Sequence, residues 1–269
     1  LNHIDVVGEA DVPDFRLKMA GNPVPLKTKF VALVDGTNGN TSLKPVEAML
    51  GQTPMLIQGD IIGEKDVKGK NITLDAIINN GRLEDVLRLA VKGKNPMTGN
   101  IILKAKIDLP RGDVDVIQKL GLRGDLIIHG MRFTNPEIQG KIDELSRRGQ
   151  GAPGQMEIAR VRSRIDGNFS LGDTVIRFRN LKYAVEGAEV QLQGHYGIKS
   201  EDIDFAGVLR LDAKASQTFK GMKSVMLKPF DGLVSRGHRG TVLSIKIDGT
   251  RNHPKFGLDV GRTIKKKDN

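Results

Sequence analysis

At 269 residues, with 38% hydrophobic and 28% charged residues, the chain is long enough for one or two domains with a buried core. The absence of cysteine excludes disulfides, thiolate metal sites and a cysteine nucleophile, and no apolar run is long enough to span a membrane as a helix. The net charge of +10 is spread along the chain apart from Lys265, Lys266 and Lys267, and two Tyr, nine Phe and no Trp offer few stacking platforms, so no nucleic-acid partner is expected.

Leu1 opens inside strand-like sequence, which reads as a fragment whose missing part holds a signal or a membrane anchor. Leu26, Thr28, Phe30, Ala32 and Val34 alternate with Lys27, Lys29, Val31 and Leu33, and Asp35-Gly36 with Asn38-Gly39-Asn40 marks a turn. Val46, Ala48 and Leu50 form the next face, followed by a strand over 56–62. Ile72, Leu74, Ala76 and Ile78 make another, ended by Asn80-Gly81. The period then changes: Leu83, Val86, Leu87, Ala90 and Val91 recur at helical spacing, with Glu84 and Asp85 early and Lys92 late, as the helix dipole prefers. Ile101, Leu103, Ala105, Ile107 and Leu109 restore alternation, and Leu122, Leu126 and Ile128 follow a charged loop. Asn135-Pro136-Glu137 starts a helix with a capping side chain, proline at the first position and an acid in the first turn.

The stretch 149–155 is rich in Gly and Pro and is the one linker-like break. It divides a β-rich segment with two short helices (1–148) and a linker (149–160) from a second β region (161–264) and a basic tail (265–269). The second region holds strands at 165–170, 174–183, 189–196 and 203–213, and a helix at 217–227 with Phe219, Met222 and Met226 on one stripe. Leu243, Ile245 and Ile247 then alternate with Ser244, Lys246 and Asp248; Asp248-Gly249 reads as a turn and Pro254 as the opening of the last strand. About fourteen strands against three short helices, near 82–92, 136–147 and 217–227, predict a mainly β, antiparallel meander.

Chemistry is sparse. Gly149-Gln150-Gly151-Ala152-Pro153-Gly154 fits a dinucleotide fingerprint by letter, yet it follows a helix and contains a proline, whereas a phosphate cradle needs a strand before and a helix after. The five His are scattered, no H-E-x-x-H pair exists, and no G-x-S-x-G elbow presents a serine. The expectation is a non-enzymatic protein with no catalytic residue, no metal and no cofactor.

The order Gly167-Asn168-Phe169-Ser170-Leu171-Gly172, then Phe178 and Leu181, then Leu192-Gln193-Gly194-His195-Tyr196 resembles the C-terminal region of AsmA-like proteins. Ile203-Asp204-Phe205-Ala206-Gly207, the segment Gly221-Met222-Lys223-Ser224 and the exit Leu227-Lys228-Pro229-Phe230-Asp231 continue the resemblance. So does the ending with Ile245-x-Ile247-x-Gly249-Thr250 and Pro254-x-Phe256-x-Leu258-Asp259. It covers about a hundred residues, and 1–148 resembles the same family more loosely. The resemblance implies an envelope protein anchored in the inner membrane and projecting into the periplasm. It implies an elongated, twisted β-sheet curled into an apolar groove that carries phospholipid acyl chains towards the outer membrane, with a possible outer-membrane protein partner.

The residues expected on that face are Ile101, Leu103, Ile107, Leu126, Ile128, Ile176, Phe178, Leu192, Leu209, Leu211, Leu243, Ile245 and Ile247, each on the apolar phase of its strand. Alternation alone leaves two other arrangements open. One seals the same face against a second sheet as a sandwich core. The other is an assembly module that pairs with an outer-membrane partner at an open sheet edge.

Overall fold

The computed structural model describes residues 3–17, 20–65, 67–152, 161–213 and 240–259. The expected helix at 217–227, the segment 221–231 of the resemblance and the tail 265–269 lie outside the described residues. In chain order the strands are β1 (Ile4–Leu17), β2 (Ala20–Val34), β3 (Thr41–Leu50), β4 (Thr53–Gly63), β5 (Lys70–Arg82), β6 (Met97–Leu109) and β7 (Gly121–Phe133). They continue with β8 (Ser163–Gly172), β9 (Val175–Val185), β10 (Ala188–Gly197), β11 (Asp202–Leu211), β12 (Thr241–Thr250) and β13 (His253–Leu258). Helix α1 (Leu83–Ala90) joins β5 to β6, α2 (Val116–Lys119) joins β6 to β7, and α3 (Pro136–Gly149) follows β7.

The thirteen strands of the described residues form one antiparallel sheet in which each pairs with its neighbours in sequence, from β1 to β13. The mainly β, antiparallel reading therefore holds. The linker-like stretch 149–160 does not interrupt the sheet: β7 and β8 on either side of it pair directly, Leu122 opposite Leu171 and Ile128 opposite Ile165.

Local chemistry explains the punctuation. After β2, the Asp35 carboxylate accepts from the Thr37 amide (2.8 Å), the Thr37 hydroxyl (2.6 Å) and Asn38 Nδ2 (2.9 Å), closing the turn. The same bonds, led by that from the Thr37 side chain, hold its pKa below the usual value. At α3, Asn135 Oδ1 accepts from the amides of Glu137 (2.8 Å) and Ile138 (3.4 Å), the capping role its position implies. Helix α2 was not expected, because four residues carry too short a pattern to show a period. The final turn also differs from expectation. Asp248 and Gly249 lie within β12, opposite Lys255 and Pro254, and Arg251-Asn252 make the turn instead. Gly249 adopts φ +101°, a conformation open to glycine inside a strand, which is why its sequence looks like a turn.

The sheet is strongly coiled, as one long-range contact requires. Arg251 Nη1, in the β12–β13 turn, donates to the Lys92 carbonyl at 3.0 Å. Flat strands six places apart lie about 29 Å from one another, and the five-residue stretch from Lys92 to Met97 spans at most about 17 Å. Only a curled sheet brings the two together. The same loop is held from the other side, where Asn22 Nδ2 donates to the carbonyls of Val91 (3.1 Å) and Gly93 (2.8 Å). Three consecutive carbonyls, 91 to 93, thus form a strap tied to β2 on one side and to the β12–β13 turn on the other.

Candidate functional site

The register of the ladders shows which side chains share a face. One row runs Ile101, Ile128, Ile165, Tyr183, Val190, Leu209, Leu243 across β6 to β12. A second runs Leu103, Leu126, Gly167, Leu181, Leu192, Gly207, Ile245, Leu258. A third runs Ile107, Leu122, Leu171, Ile176, Tyr196, Ile203. A fourth begins on the other half of the sheet: Val46, Ile57, Ala76, Ala105, Gly124, then Phe169, Phe178, Gly194, Phe205, Ile247, Phe256. With Leu211 at the end of β11, all thirteen expected residues fall on this one face. None of the four rows contains an Asp, Glu, Lys or Arg.

Most charged side chains of the strands lie on the opposite face. There Lys27 pairs with Asp11 (3.0 Å) and Lys29 with Glu9 (3.1 Å), both pairs exposed, and Lys246 with the half-buried Asp248 (3.3 Å). Such pairs add little stability but keep that face wet.

The apolar face divides into three zones. At one end Ile101, Ile128, Leu209, Leu211 and Leu243 are buried in a core closed by Leu83 of α1 and Ile142 of α3. Leu103, Leu126, Leu192 and Ile245 pack half-buried against it. At the other end Ile107 and Ile176 pack against a smaller cluster built on Ile117 of α2, Leu120, Leu171 and Ile198. Phe178 and Ile247 lie in the fourth row, between these ends, and remain half-buried.

That middle row has a distinct composition. Its first half is shallow, with Ala76, Ala105 and Gly124, and its second half is aromatic. A side chain at Gly124 would run into the Lys104 carbonyl, so glycine lets the strands approach where the sheet coils. Phe178 and Phe205 flank Gly194, their ring centroids 5.8 Å apart and tilted by 39°, covering the space the glycine leaves. The row ends at Phe256, whose ring lies 5.0 Å from Lys141 Nζ of α3. Along the row, small residues on β5 to β7 thus give way to aromatics on β8, β9, β11 and β13.

The few polar groups on this face sit at its rim and are mostly bonded. Ser163 and Tyr183 hydroxyls lie 2.8 Å apart, and burial pushes the Tyr183 phenol far up from its ordinary value. Thr53 donates to the buried Asp85 carboxylate (2.9 Å), which also accepts the Gln52 amide (3.0 Å). Tyr196 is likewise raised, chiefly by burial.

Among the described residues no group of three His, Asp or Glu is placed to hold a metal ion. No helix of the described residues is long and apolar enough to cross a membrane. The glycine-rich stretch from Gly149 follows α3, not a strand, and its later part lies outside the described residues. The strap and its two anchors, Asn22 and Arg251, were not identifiable beforehand, since neither residue stands in a pattern that marks a distant contact.

No family model matches the chain, and neither a curated protein nor a solved structure does so.

Proposed function

We propose that the chain is the periplasmic part of an AsmA-like protein, anchored in the inner membrane by a segment outside this sequence. Its coiled sheet binds phospholipid acyl chains and supports their transfer toward the outer membrane. The reading assigns it no enzymatic activity and no cofactor. The observation that carries it is the set of uncharged rows that runs across the sheet, with a middle row of small residues and aromatics in which Phe178 and Ile247 stay half-buried. An acyl chain gains about 0.8 kcal/mol for each methylene removed from water, and a single unpaired charge along the path would cancel several of those gains. A row that excludes charge over so many strands suits a long apolar ligand.

The alternative, an assembly module recruiting a partner strand, finds less support at the β1 edge. That strand carries Asp5, Glu9, Asp11 and Asp14, and charges on an edge discourage strand addition.

The test is mass spectrometry of lipids extracted from natively purified protein, beside an Ile247→Asp variant. Phospholipid recovered from the wild type and reduced in the folded variant is the expected result. Wild-type protein free of lipid would end this reading.

A further inference from the structure

A second feature lies at the α1 end of the sheet, at and beyond the rim of the apolar rows. Two clefts, of about 940 Å3 and about 300 Å3, adjoin there and share Arg82 and Glu84. The smaller is completed by Thr98, Gly99, Gly130, Arg132 and Arg162. Met131 and Ser163 face each other in the β7–β8 ladder and are buried, so strand alternation turns Gly130, Arg132 and Arg162 outward. The β6–β7 ladder shifts register between Thr98 and Asn100, and Gly130, at φ +60°, has open space where a Cβ would stand. The bulge thus leaves a hollow with a backbone floor.

Its charge is unbalanced. Arg82 donates to Gln52 Oε1 (2.5 Å) and lies 3.8 Å from Glu84, the one carboxylate in the smaller cleft. Arg132 and Arg162 make no ion pair or side-chain hydrogen bond among the described residues. The larger cleft adds Arg88 and Lys94, while its Asp85 is buried and already engaged by Thr53 and Gln52. The helix terminus contributes little, because Glu84 and Asp85 already occupy the first turn of α1. Guanidinium groups grouped without counter-charge repel one another, and an oxyanion relieves this while accepting their planar, forked donors.

We propose that the cleft at Arg132 and Arg162 binds a phosphate group, and that the adjoining larger cleft holds the polar body bearing it. This site is separate from the apolar face and does not depend on lipid being bound there. The phosphate belongs either to a lipid headgroup at an anionic membrane surface or to a soluble phosphate ester.

Inorganic phosphate titrated into the full chain at constant ionic strength, followed by amide NMR, tests the site. Saturable shifts at Gly99, Gly130 and Arg132 are expected. An Arg132→Gln/Arg162→Gln variant should weaken binding by about tenfold or more. A Lys104→Gln/Lys106→Gln variant removes the same charge elsewhere on the outer face and should bind as the wild type does. Flotation with phosphatidylglycerol vesicles, against phosphatidylcholine alone, separates the sources. Vesicle binding lost only in the arginine variant assigns a lipid headgroup, and saturable phosphate binding without vesicle binding assigns a soluble ester. The proposal is overturned if neither probe binds, or if the lysine variant loses as much as the arginine variant.

Discussion

A charge placed at two points of the same apolar face separates sealed core from open groove. Leu209 is 9% exposed and stands in its row between Val190 and Leu243, both buried. Truncating such a residue costs about 2–5 kcal/mol through lost transfer energy and the cavity left behind. A carboxyl group in its place adds at least about 1–3 kcal/mol, even if it takes up a proton to stay neutral. The sum, on the order of 5 kcal/mol, approaches the whole stability of a typical domain, so Leu209→Asp should unfold the chain. Ile247 occupies the middle row and is only half-buried. Losing half of its transfer energy costs about 1 kcal/mol, and a carboxylate there keeps contact with water. Urea unfolding followed by circular dichroism, with the two variants in parallel, gives the comparison. The expected pattern is a lost transition for Leu209→Asp and a slightly lowered midpoint for Ile247→Asp. If Ile247→Asp abolishes folding as well, the face is sealed along its length and the groove reasoning fails. If Leu209→Asp folds normally, the zone closed by α1 and α3 is not a core.

Three further outcomes are expected. Both tyrosines of the chain have phenols raised above their ordinary value, so phenolate absorbance at 295 nm in the native protein near pH 10 should be well below that of two free phenols, which are half ionised there. A raised folded-state pKa favours the neutral form, so this contribution to stability is complete below pH about 10 and is lost as pH climbs through the folded-state value; ionisation should coincide with unfolding in an alkaline titration. Asn135→Ala removes the cap of α3 and should cost about 1 kcal/mol in thermal or urea unfolding, with Asn135→Asp largely retaining it. Arg251→Ala breaks the bond to Lys92 and the 3.0 Å pair with the half-buried Glu201; a loss of about 1–2 kcal/mol, with faster hydrogen exchange at 91–93, should follow.

Much of the architecture could be read before the structure, because a period of two or of 3.6 leaves its mark in each segment separately. The alternation at Ile101 to Leu109 placed those side chains on the face where the ladders put them, and Asn135-Pro136-Glu137 marked the start of α3. What alternation cannot record is curvature, since it fixes the side a residue faces and not how far the sheet bends. The strap at 91–93 depends on Asn22 and Arg251, which lie far from it in sequence and belong to no periodic pattern. The division of the apolar face was hidden for a related reason. Leu209 and Ile247 look alike in sequence, and only the docking of α1 and α3 at one end buries the first and leaves the second half-exposed.

The strictly sequential strand order has a consequence for how such a molecule is made and lengthened. No strand waits for a distant one: each hairpin can zip onto the last as the chain emerges, and closure of the strap by Arg251 comes late, after β12 is in place. Adding or deleting a hairpin at either end would leave the other pairings as they are, because each strand pairs only with its neighbours in sequence. The meander therefore works as a ruler whose length can be changed by duplication at its ends, two strands at a time.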